Sequence, residues 1–112
     1  AGQAAAQTVA SLRQEGYSGA ITVVGEEPYP PYQRPPLSKA YLSGELPSDR
    51  LFLRPDEFWA EAKCDLRLGV QALSVDRKAK TVALSQGAAL PYTDLVFATG
   101  SRVRTLPLAG AE

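Results

Sequence analysis

Arg34 and Lys39 bracket a stiff run, Arg34-Pro35-Pro36-Leu37-Ser38-Lys39, in which Ser38 sits beside the lysine. The prolines fix φ at about −65° and remove two backbone donors, so the run suits neither the middle of a helix nor the middle of a sheet. Arginine forks onto phosphate oxygens, and lysine acts as a point charge. A rigid loop that presents both suits a polyanionic ligand. Just upstream, Pro28-Tyr29-Pro30-Pro31 has PxxP spacing, so a proline-rich segment docking on a protein partner is a second reading of the same stretch.

Three further groups could belong with these cations. Gly2, Ala4 and Ala5 fit a clipped G-x-G-x-x-G/A pattern, with Gly2 second, Ala5 third and the first glycine falling one residue before Ala1. In that pattern the second glycine lets a phosphate approach the backbone, and the small third residue lets helix and strand pack closely. The phosphate then rests on free N–H groups at a helix N-terminus. An alanine-rich helix that happens to follow a glycine is the plainer alternative. Glu26 comes directly after Val24-Gly25, about 20–25 residues beyond the glycine, where an acid can accept hydrogen bonds from a ribose. Glu27 next to it is the competing choice, and a solvated turn carboxylate the ordinary one. Ala98-Thr99-Gly100 follows an apolar run, and small residues at the end of a strand leave room for a ligand.

The elements that must position these groups can be read from periodicity. Apolar residues at 5, 6, 9, 10 and 12 form a helical stripe, which Gly16 and Gly19 end. Ala20-Ile21-Thr22-Val23-Val24 is β-rich and stops at Gly25-Glu26-Glu27-Pro28. Helix, strand and terminal acid make two thirds of a βαβ unit, with the first strand missing. Pro28 to Pro36 holds five prolines in nine residues and reads as an irregular crossing segment. A short helix is expected from Leu37 to Leu42, a brief strand or extended piece at Leu51–Leu53, and a helix after Pro55, whose first turn is acidic. Two strands, Val70–Asp76 and Lys80–Leu84, then a turn at Gln86-Gly87 into Ala88–Tyr92, make a small β-meander over about residues 70–92. Leu95-Val96-Phe97-Ala98 is a continuous apolar run of the kind found in a buried parallel strand. The expected fold is α/β and Rossmann-like: a parallel sheet with an inserted antiparallel meander.

Composition narrows the function. The 112 residues carry 12 basic and 12 acidic side chains, a formal net charge of zero, and no basic stripe. Nucleic acid and anionic membrane are therefore poor partners. No apolar run approaches the roughly 18 residues that span a bilayer, and no signal peptide opens the chain. With no histidine, Ser-His catalysis and imidazole metal ligation have no side chain to use here. Cys64 is the single cysteine and reads as a buried structural thiol, consistent with a reducing cytoplasm. No residue is assigned as an acid, base, nucleophile or metal ligand.

Taken in order, the clipped glycine motif, Val24-Gly25-Glu26, Tyr32-Gln33-Arg34-Pro35-Pro36-Leu37-Ser38-Lys39 and Tyr92-Thr93-Asp94-Leu95-Val96-Phe97-Ala98-Thr99-Gly100 resemble a known family. It is the FAD-dependent pyridine nucleotide–disulfide oxidoreductase superfamily. Within it, the chain looks most like the NADH-dependent ferredoxin reductases of P450 and ring-hydroxylating oxygenase systems (putidaredoxin and rubredoxin reductase-like). The resemblance implies that residues 1–106 are part of an FAD-binding domain and that 107–112 begin a linker toward an NAD-binding domain. It implies Gly2, Ala4 and Ala5 at the FAD pyrophosphate and Glu26 at the adenosine ribose. Arg34 would meet the phosphate and ribityl region, and Lys39 would lie near the isoalloxazine, where a positive charge stabilises electron-rich reduced flavin. Ala72 would offer backbone groups to the adenine, and Ala98, Thr99 and Gly100 would flank the cofactor. The partner it implies is a small iron–sulfur protein of the ferredoxin or rubredoxin class. The subgroup uses no redox-active disulfide, in keeping with a lone cysteine. Other branches, such as NADH oxidases or nitrite reductase subunits, and a non-catalytic module built on the proline-rich loop are the alternatives.

Overall fold

The computed structural model describes residues 1–102 and 104–110. Helix α1 spans Gln3–Gln14 and is followed by strand β1, Ile21–Gly25. The helix ends in a Schellman turn: Tyr17 N–H donates to the Leu12 carbonyl at 2.9 Å and Gly16 N–H to that of Arg13 at 3.1 Å. Gly16 holds φ +92° there, a conformation open to glycine at little cost. Helix α2, Asp56–Glu61, leads into β2, Cys64–Leu68, which pairs parallel to β1 with Val23 opposite Leu66. Strands β3 (Ala72–Asp76), β4 (Thr81–Leu84) and β5 (Leu90–Pro91) form a separate antiparallel sheet, the meander expected from the sequence.

The stripe on α1 does what its spacing predicts. Ala6 and Val9 are buried against Val23 of β1 and against Trp59 and Ala62 at α2, with Ala1, Ala5, Ile21 and Leu66 packed around them. Alanines on this face let helix and strand approach closely, and a valine buried this completely contributes about 1.5–3 kcal/mol. Arg13 fastens the far end of the layer. Its Nε donates to the Ala62 carbonyl at 2.7 Å, and its Nη1 donates to Tyr17 and Gly19 at 2.7 and 2.8 Å. One guanidinium thereby ties α1, the turn after it and the end of α2. Trp59 is 4% exposed, and its buried indole N–H finds no hydrogen-bond acceptor among the described residues.

Several expectations need correction. Leu95–Ala98 is not a buried parallel strand: the run lies outside both sheets, and Val96 and Phe97 are 62% and 73% exposed. A strand needs a neighbouring backbone to hydrogen-bond, and among the described residues none runs alongside it. The helix expected at Leu37–Leu42 is a 3₁₀ turn over Pro35–Ser38 followed by turns. The two prolines occupy its first positions, where their missing N–H groups are not needed. Leu51–Leu53 forms a single antiparallel bridge, Phe52 to Tyr32, rather than a strand. Cys64 is half-buried rather than buried, and desolvation, then the Asp65 charge, pushes its thiol above the ordinary range. Ala111 and Glu112, at the end of the expected linker, lie outside the described residues.

Two stability measurements on the full-length protein follow. Trp59→Ala should lower unfolding free energy by about 3–5 kcal/mol in urea titrations followed by circular dichroism. Trp59→Phe should stay within about 1 kcal/mol of the parent, because it deletes an unpaired buried donor along with some volume. Arg13→Ala should cost on the order of 2–4 kcal/mol, and Arg13→Lys should recover less than half of that, since an ammonium cannot fork to three carbonyls in fixed directions.

Candidate functional site

The candidate residues lie mainly around the carboxyl end of β1, next to the start of β3. At the β1 tip, Gly25 lies against the chain entering α1: a Cβ built on Gly25 would stand 3.1 Å from both the Cβ and the nitrogen of Ala1. Glycine here allows the N-terminal segment to close onto the strand, which sets Gly2 and the first turn of α1 beside the strand tip. Sequence reading treated Gly25 only as a strand stop. A Cβ on Gly2 would meet nothing within 4 Å, so the approach to the helix start is open. No side chain caps this end and no acidic residue stands in the first turn. The first intrahelical bond is Ala6 N–H to the Gly2 carbonyl at 3.1 Å, so the N–H groups of residues 3 to 5 precede the ladder and face outward along the axis. Together with the helix dipole they make an anion-binding end.

The two acids after Gly25 are engaged differently. Glu26 Oε2 accepts from Arg102 Nη2 at 3.2 Å, and this is how the segment after Thr99-Gly100 reaches the strand tip. Both side chains are largely exposed, and such pairs contribute at most about 1 kcal/mol. A ligand hydroxyl could therefore take over Glu26 at little expense. Glu27, which the sequence left as the competing choice, holds two partners: the Tyr32 hydroxyl donates to Oε2 at 2.7 Å and Arg34 Nη2 donates to Oε1 at 2.7 Å. The Arg34 guanidinium carbon also stands 5.1 Å from the centroid of the Tyr32 ring. The Tyr32 hydrogen bond, with help from Arg34, keeps the Glu27 carboxyl below the usual range against modest desolvation. The same bond, aided by desolvation, pushes the Tyr32 phenol above its own.

The remaining predicted residues gather less tightly. Val70 N–H donates to the Gly25 carbonyl at 2.9 Å and Gly69 N–H to that of Glu27 at 3.0 Å, so the chain leaves this tip directly into β3 and Ala72. Thr99 and Gly100 are exposed and Ala98 half-buried, and Gly100 has φ +70° with nothing within 4 Å of a Cβ built there. Lys39 is exposed at the end of the 3₁₀ turn and makes no ion pair among the described residues. The proline segment is not a free docking peptide. Pro31 is fully buried, Gln33 N–H donates to the Leu51 carbonyl at 2.6 Å and Leu53 N–H to that of Pro31 at 3.1 Å. A PxxP ligand presents both of its prolines to a partner groove, and here Pro28 is exposed while Pro31 is packed inside.

The structure sets Gly2, Glu26 and Arg34 near one strand tip, and adds Glu27, Tyr32 and Arg102 as partners that sequence reading did not assign. An acid, a tyrosine and an arginine within eight residues were a weak local signal for the first two. Nothing local could pair positions 26 and 102.

The chain is similar over its whole length to known proteins. The profile of the family described as pyridine nucleotide-disulphide oxidoreductase matches residues 1–112. A rhodocoxin reductase of Rhodococcus erythropolis is 45% identical over 111 residues, 99% of this chain and 26% of that protein. A ferredoxin–NAD(P)(+) reductase of a Sphingomonas species is 41% identical over 112 residues, 100% of this chain and 27% of its own. Among solved structures, the ferredoxin reductase for the CYP199A2 system of Rhodopseudomonas palustris superposes with a TM-score of 0.90 at 41% identity, covering 96% of this chain and 26% of that one. The chain spans about a quarter of the length of the curated relatives it matches. It belongs to the pyridine nucleotide-disulphide oxidoreductase family.

Proposed function

We propose that this chain is the FAD-binding part of an NADH-dependent ferredoxin reductase. The observation that carries the reading is the convergence of an uncapped helix N-terminus, an acid tip and a cationic loop at one end of β1, in a chain 41–45% identical to named reductases of this kind. Residues 1–106 act as the partial cofactor domain, and 107–112 begin the connection toward a nicotinamide-binding domain. The whole protein takes electrons from NADH and passes them to a small iron–sulfur protein of the ferredoxin or rubredoxin class, which serves a P450 or ring-hydroxylating oxygenase. A lone cysteine with no pairing partner suits a reducing cytoplasm as the site of that reaction.

FAD, when bound, supplies the exchange between two-electron chemistry on the nicotinamide side and single electrons on the iron–sulfur side. The chain's own residues bind and orient. Gly2 keeps the helix end open, while the backbone at Ala4 and Ala5 offers N–H groups to the pyrophosphate. Glu26 accepts from the adenosine ribose once released from Arg102. Arg34 reaches the phosphate and ribityl region, and Lys39 places positive charge near the ring system. Backbone groups around Ala72 would meet the adenine, and Ala98, Thr99 and Gly100 would flank the cofactor, with open space where a Cβ on Gly100 would stand. The donor set fits a dinucleotide: N–H groups and cations for phosphate, a carboxylate for ribose hydroxyls. No side chain here is required as a proton donor, acceptor or nucleophile.

The first test is a visible absorption spectrum of the full natural-length polypeptide. Flavin bands that bleach when NADH is added are expected; a protein that stays colourless after incubation with FAD would overturn the reading. Reduction of an added ferredoxin under NADH separates the ferredoxin reductases from other branches of the family. Lys39→Ala should shift the flavin midpoint potential or weaken flavin affinity, and its assigned role would be lost if both stayed at the parent value.

A further inference from the structure

We propose that Glu27 is a positioning residue that holds the Arg34 guanidinium ready for the phosphate-bearing part of the dinucleotide. The inference rests on the FAD-binding reading above, but assigns a role to a residue that reading does not use. Arginine side chains carry several rotatable bonds, and fixing one against a ligand sacrifices rotamer freedom. In this chain that freedom is already narrowed before any ligand arrives. Glu27 Oε1 takes one N–H of Arg34 at 2.7 Å, and the Tyr32 ring lies under the guanidinium at 5.1 Å. The Tyr32 hydroxyl donates to Oε2 at 2.7 Å, a second bond that favours the carboxylate orientation facing Arg34.

The clamp is itself anchored at the strand tip. Glu27 follows Glu26 directly, and its carbonyl accepts from Gly69 N–H at 3.0 Å. Tyr32 is bridged to Phe52 across the backbone. Arg34 is therefore pinned at the tip of β1, the same end at which Gly25 admits the start of α1. A guanidinium has five N–H donors in one plane, and Glu27 uses one nitrogen. The others keep their fork for phosphate oxygens. Side chains held in advance of binding convert more of their contact energy into affinity.

The test is a double-mutant cycle on flavin affinity, in the deflavinated full-length protein, by quenching of FAD fluorescence. Glu27→Ala should weaken FAD binding about tenfold, comparable to the rotamer freedom restored to Arg34. In the Arg34→Ala background the same change should be silent, because the group it positions is gone. Tyr32→Phe, which keeps the ring and drops only the hydroxyl, should give a smaller loss in the same direction. An undiminished tenfold loss in the Arg34→Ala background would overturn the proposal, since Glu27 would then act by holding the loop rather than through Arg34. Wild-type affinity in Glu27→Ala, or in Arg34→Ala, would overturn it as well. In each of those cases the parent protein still binds FAD, whereas a parent that binds none fails the broader reading instead.

Discussion

Parallel pairing of β1 with β2 is the constraint on which the rest depends. Two parallel neighbours cannot be joined by a hairpin, so everything between Gly25 and Cys64 must leave the carboxyl end of one strand and return to the amino end of the other. That crossing contains the proline loop and α2. It must start at the strand tip, beside the entry to α1, and it carries Arg34 and Lys39 with it. The placement of Arg34 at the β1 tip, through Glu27, is thus a consequence of strand direction. The same logic holds for open α/β sheets in general, whose ligands lie beyond the carboxyl ends of the strands.

The layer behind the sheet is held by two unlike means. Small apolar residues on α1 allow close packing on β1, and Trp59 fills the remaining volume from α2. At the other end of the helix, Arg13 satisfies three carbonyls that would otherwise lie unpaired near the turn. An arginine spent inside the fold in this way differs from Arg34, whose single ion pair is exposed and leaves donors over. The contrast separates a structural cation from one available to a ligand. Lone buried donors such as the Trp59 indole remain where shape outweighs hydrogen bonding.

What the sequence by itself determined was whatever depends on local periodicity and turn chemistry. The stripe at 5, 6, 9 and 10 specified α1 and its buried face, Gly16 its end, and Pro55 with Asp56 and Glu57 the start of α2. Alternation and turns gave the meander, and the double proline marked a rigid loop. Each is encoded within a few residues. Pairings over long separations were decided by tertiary structure alone: β1 beside β2, Glu26 with Arg102, and Arg13 reaching Ala62. The apolar run at Leu95–Phe97 makes the same point from the other side. Its composition is that of a core strand, but a strand exists only where another backbone lies beside it, and composition cannot supply that neighbour. Likewise, two adjacent glutamates looked interchangeable in sequence. The direction in which the chain turns after Gly25 gave one to Arg102 and the other to Tyr32 and Arg34.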